Sequence, residues 1–191
     1  MLIYNLSFAQ EKHPIKAGVF TGVVLSQVDG DSYAGYHKGG VSAGLEGFIP
    51  LDNKGRLWFM TGLYYTQRGS RNIPSIRRGL HYLLRLDYVD ISLILRYEDK
   101  GRLVFASGLT IGRLIKFTEI INFNVNNYPE NPYRSMDYLF TAELRYMIGK
   151  HWFPGIRFIY SLRSIREVMP PNAPVPWQRN KALVFFISYR T

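Results

Sequence analysis

The chain has no cysteine. That absence removes disulfide frameworks, thiol nucleophiles and thiolate zinc sites together, and it leaves the redox compartment open. No stretch approaches the roughly 18 to 20 consecutive apolar residues that a membrane-spanning helix requires, which argues against a helical membrane protein but not against one that crosses with strands. Histidine is scarce. His13, His37, His81 and His151 stand apart, with no metal-ligand spacing among them, and no motif requires a cofactor. Acidic residues are also few, 14 Asp and Glu against 24 Lys and Arg, giving a formal charge of +10. Such a balance points to an anionic neighbour: nucleic acid, lipid phosphate or acidic glycan. The cations are spread along the whole chain without a basic helix, a zinc motif or an aromatic nucleic-acid motif, so no nucleic-acid partner is expected.

Aromatic residues, by contrast, are abundant at 15% of the 191 residues (14 Tyr, 12 Phe, 3 Trp), a load that fits girdles at membrane interfaces. Mean hydropathy is near neutral at −0.11, as expected of strands of about 9 to 11 residues that alternate apolar with polar. Eight alternating runs are legible: Ala17 to Val28, Lys38 to Ile49, Arg56 to Arg68, His81 to Tyr97, Arg102 to Phe117, Met136 to Ile148, Trp152 to Arg163 and Lys181 to Arg190. The fourth sets Val89, Ile91, Leu93, Leu95 and Tyr97 against Asp90, Ser92, Ile94 and Arg96. The sixth sets Tyr138, Phe140, Ala142, Leu144 and Tyr146 against Thr141, Glu143 and Arg145.

Connections alternate in length. They are long at 29–37, 69–80, 118–135 and 165–180, and short at the three turns between, the pattern of a bacterial outer-membrane barrel. An even number of strands closes the sheet, and closure is what lipid demands of backbone edges. The expected fold is therefore all-β: a closed, eight-stranded, antiparallel up-and-down transmembrane β-barrel over residues 16–191. The preceding residues 1–15 are read as a signal-peptide remnant and N-terminal extension, because Ser7-Phe8-Ala9 places small residues where a signal peptidase cuts. The expected location is the Gram-negative outer membrane, reached by the general secretory route.

The stretches Leu63-Tyr64-Tyr65-Thr66-Gln67-Arg68-Gly69, Tyr88-Val89-Asp90-Ile91-Ser92-Leu93-Ile94-Leu95-Arg96-Tyr97 and Gly108-Leu109-Thr110-Ile111-Gly112-Arg113-Leu114 resemble the PorT-like outer-membrane β-barrel family, in order and spacing from about Lys16 to Arg190. The chain departs from that family at Gly62, where an acidic residue is common, and at Ser92, where proline is common. The resemblance implies an eight-stranded barrel, and it makes an envelope or type IX secretion protein a candidate partner, since a few members take part in that secretion.

With the apolar faces turned to lipid, Glu46, Asp90, Arg96, Glu143, Arg145 and Arg157 face the barrel interior. A barrel this small is filled by side chains, so these residues are expected to form an ion-pair network that closes the lumen. A second basic group lies toward the long loops, and Arg71, Arg77, Arg78, Arg166 and Arg179 are the candidates for contact with anionic outer-leaflet glycolipid, because guanidinium forks bind oxyanions well. Trp58, Tyr64, Tyr65, Tyr82, Tyr97, Tyr146, Trp152, Phe185 and Tyr189 are read as interface girdle or lipid-facing bulk. The expected function is that of a non-enzymatic structural or accessory component of the envelope, with outer-membrane lipid as its surroundings. Two alternatives compete: a rim-located lipid-modifying hydrolase using His81, and a soluble lipocalin-like carrier whose apolar faces turn inward.

Overall fold

Valine, isoleucine, leucine and aromatic residues at every second position favour extended backbone, and the strict period of two gives each strand one apolar face. The computed structural model describes residues 14–31, 35–72, 81–125, 132–167 and 175–191. Its strands are β1 (Lys16–Asp29), β2 (Lys38–Pro50), β3 (Leu57–Arg71), β4 (Tyr82–Glu98), β5 (Leu103–Ile121), β6 (Asn124–Val125), β7 (Met136–Tyr146), β8 (Trp152–Ser161) and β9 (Arg179–Arg190). All but β6 form the barrel. Each is antiparallel to its sequence neighbour, and β1 pairs with β9 to close the ring. β6 is a two-residue return on the far end of β5. The architecture is thus the closed eight-stranded up-and-down barrel expected from the alternation. The expected leader and extension at 1–15 falls outside the described residues, except for Pro14 and Ile15.

The apolar faces point outward. Val23, Leu45, Leu63, Leu93, Leu95, Leu109, Leu144 and Phe185 are all exposed, with Leu45 at 63% and Leu109 at 56%. A face so apolar has no place in water and needs lipid around it. This is the inverse of a carrier, whose apolar residues would line the cavity. Tyr97, Tyr146 and Trp152 stand exposed at the short-turn end of the belt, as girdle residues do. Trp58, Tyr64 and Tyr82 do not: all three are buried in the lumen, because their positions on β3 and β4 share the parity of the interior residues. No helix among the described residues is long and apolar enough to cross a membrane.

β4 and β5 run well past the belt toward the long-loop end. A β-bulge interrupts them: Tyr88 pairs with Leu114 but Asp87 pairs with Lys116, leaving Ile115 as the extra residue. Even-numbered residues of β5 face inward before it, and Phe117, Glu119 and Ile121 face inward after it.

Candidate functional site

The lumen is the only place where the fold converges charged groups from several strands among the described residues, and it is stratified. At mid-height, Glu46 of β2 reaches across to β7. Its carboxylate accepts hydrogen bonds from Arg145 Nη2 at 2.8 Å and Nη1 at 3.0 Å, and from the Tyr64 hydroxyl at 2.9 Å. Glu143 accepts from Arg145 Nε at 2.7 Å and from Arg157 Nε at 2.6 Å, while Arg157 Nη2 approaches Glu46 at 3.5 Å. All four charged side chains are buried. The Arg157 guanidinium lies over Tyr64 and Phe20, 4.2 and 4.3 Å from the ring centroids, which adds cation–π attraction to the ionic contacts. Two carboxylates against two guanidiniums leave the stratum neutral, the condition for burying charge at tolerable cost.

Nearer the short turns, Arg96 is sandwiched between Phe48 and Phe153, at 5.1 and 4.4 Å, and lies 3.2 Å from Glu98. Arg190 also pairs with Glu98 and lies 4.6 Å from the Phe153 ring centroid. Toward the loops, Arg68 pairs with Asp90 and lies 3.6 Å from Asp137. Asp137 in turn accepts from Ser161 Oγ and Asn180 Nδ2, both at 2.9 Å. Hydroxyls bridge the levels, with Ser92 Oγ 2.7 Å from Thr110 Oγ1 and Thr110 Oγ1 2.8 Å from that of Thr141. The uppermost stratum centres on Glu119, which accepts from the hydroxyls of Tyr82 at 3.1 Å and Tyr133 at 3.0 Å and from Arg166 at 3.4 Å. The stems of the long loops close over it, where Tyr133 bridges Arg166 and Ile165 donates its N–H to Gln178.

Of the interior set, Glu46, Glu143, Arg145 and Arg157 share one stratum, whereas Asp90 and Arg96 belong to the strata above and below it. Of the rim set, Arg71 is exposed and Arg179 is half-buried, 5.1 Å from the Trp177 ring centroid. Arg77 and Arg78 lie outside the described residues. Arg166 is not a rim group: it is 5% exposed and turned onto Glu119, because the bridge to Tyr133 carries it over the mouth. Asp137, Glu119, Glu98 and Arg190 are lumen residues absent from the expected set. Asp137 and Arg190 carried a signal, since each has the parity of its strand's interior face.

His81 stacks on Phe123 at 4.6 Å, and its Nδ1 has no hydrogen-bond partner among the described residues. No group of three or more His, Asp or Glu among the described residues could hold a metal ion.

Solved structures share this architecture at low identity. The attachment invasion locus protein Ail of Yersinia pestis, crystallised with the heparin analogue sucrose octasulfate, is 12% identical over 93% of this chain and 99% of its own, with a TM-score of 0.52. Neisserial surface protein A is 10% identical over 92% of this chain and 96% of its own, also at 0.52. No curated protein sequence matches the chain. The family model described as outer membrane protein beta-barrel domain matches residues 8–167, and this, with the lipid-facing belt, identifies the membrane: the chain belongs to that family and is a barrel of the bacterial outer membrane.

Proposed function

We propose that this barrel is a non-catalytic structural or accessory component of the cell envelope, of the PorT-like kind, acting through its outer surface and long loops rather than through its lumen. One observation carries the reading. Four stacked strata of paired side chains fill the lumen from the short turns to the loop stems, and together they match six carboxylates with six guanidiniums. A barrel of eight strands has an interior just wide enough for side chains, and paired ions there behave as a plug. In this reading residues 16–191 are the barrel domain and residues 1–15 the remnant of an export signal. Arg71, Arg77, Arg78 and Arg179 contact anionic glycolipid, and an envelope or type IX secretion protein docks on the loops.

Planar-bilayer recording tests the plug. Negligible conductance is expected, and steady open channels of porin size would overturn it. Deacylation of glycolipid by purified protein, lost on His81→Ala, would instead establish the hydrolase.

A further inference from the structure

Taken together the lumen strata balance, six carboxylates against six guanidiniums, so the cations of the outer wall find their anions elsewhere. On the outer wall of β5 the apolar series Phe105, Leu109 and Ile111 ends at Arg113. The cross-strand neighbours of Arg113 are Val89 on β4 and Met136 on β7, so no carboxylate faces it across either ladder. The bulge then alters the spacing. Leu114 and Phe117 both pack toward the lumen cluster, which leaves Ile115 and Lys116 together on the outer face. Lys116 faces Asp87 across the ladder, but Asp87 is taken by Arg85, whose Nε lies 3.0 Å away. Arg113 and Lys116 are therefore exposed and without an ion pair among the described residues. Their Cα atoms are about 10 Å apart along the strand, a distance over which two long side chains converge on one anion.

We propose that Arg113 and Lys116, spaced by the bulge at Ile115, bind a phosphate of an outer-leaflet glycolipid whose acyl chains lie against Leu109 and Ile111 on the belt side of Arg113. The height selects the ligand. Arg113 occupies the first charged outward position above the belt on β5, which is the level of lipid phosphates, and lipid is the one anionic partner always present there. A guanidinium supplies directed hydrogen bonds and an ammonium a compact charge, a combination suited to phosphate. The proposal rests on the outer-membrane orientation given above, with the long loops outward, and is independent of the Arg71 and Arg179 contacts.

The test uses the full barrel in nanodiscs, with bisphosphorylated lipid A as probe and lipid A stripped of both phosphates as its control, and binding read by native mass spectrometry. The double variant Arg113→Gln, Lys116→Gln keeps side-chain length on the wall and touches nothing in the lumen. Binding of the phosphorylated probe is expected to fall at least tenfold in this variant, and the stripped probe is expected to bind wild type and variant alike. Undiminished binding of the phosphorylated probe, or equal loss for both probes, would overturn the proposal. The pair Arg71→Gln, Arg179→Gln is measured alongside: its unchanged binding would remove the loop-rim contacts and leave the β5 site standing. Should the glutamine pair lose its heat-modifiable folded band, the exchange Arg113→Lys, Lys116→Arg decides, with retained binding expected and loss refuting.

Discussion

Replacing Glu46 by Gln alters one oxygen in a side chain that otherwise keeps its volume, yet it should be among the most costly changes in the barrel. The carboxylate accepts from Arg145 twice and from Tyr64 once. In the amide one acceptor becomes a donor aimed at a guanidinium, and Glu143 is left as the only carboxylate for Arg145 and Arg157. Breaking a buried pair by removing one partner costs about 3–5 kcal/mol, which shifts the unfolding equilibrium by roughly two to three and a half powers of ten. The double variant Glu46→Leu, Arg145→Met should behave differently. It removes one charge of each sign and leaves Glu143 paired with Arg157 at 2.6 Å, so stability should return to within about 1–2 kcal/mol of wild type, as balanced replacement of buried ions does. Urea unfolding of the detergent-folded protein, followed by tryptophan fluorescence and by heat-modifiable gel mobility, measures both. A Glu46→Gln variant within about 1 kcal/mol of wild type, or a double variant less stable than the single, would refute the argument that charge balance holds this stratum.

Three further outcomes follow from other parts of the wall. Gly62 faces Glu46 across the ladder and lies beneath the Tyr64 ring, so that a Cβ there would enter the ring's van der Waals space; Gly62→Ala should cost about 1–3 kcal/mol by overpacking, measured by the same urea titration. Leu93→Arg places a cation near the middle of the lipid belt, where the cost is about 2–4 kcal/mol, and the loss should vanish in Leu83→Arg, near the loop end of the same face. Phe123→Ser at the β5–β6 tip removes an 80% exposed ring at a positive φ and should leave unfolding unchanged within about 0.5 kcal/mol.

Alternation made the faces legible, since a period of two assigns each side chain to lumen or lipid once one charged residue is placed. Height is not encoded that way. Glu46 and Arg145 are drawn together because the register brings β2 and β7 to one level across the lumen, whereas Asp90 and Arg96 have the correct face but stand at other levels. The bulge defeats parity altogether: counted from Ala106 and Thr110, Glu119 would face lipid, and only the extra Ile115 turns it inward. Arg166 follows β8 in a segment with no alternation to read, and its burial is decided by a single bridge to Tyr133. Gly62 shows the opposite case. Its missing side chain leaves space that the Tyr64 ring occupies, and Glu46 on the neighbouring strand supplies the carboxylate that accepts from the Tyr64 hydroxyl.

The mid-height network also bears on the order in which the chain folds. Glu46 meets Arg145 and Arg157 across 99 and 111 positions of sequence, and no hairpin contains both partners. To this one stratum the β7–β8 hairpin contributes Glu143, Arg145 and Arg157, one positive charge in excess, and β2 holds the missing negative one. An open sheet entering lipid would carry that mismatch into a medium that cannot solvate it. Neutralisation and the zipping of β1 onto β9 therefore arrive together, which makes the ring all-or-none: partly inserted sheets are held back at the membrane surface until the last pair of strands can meet.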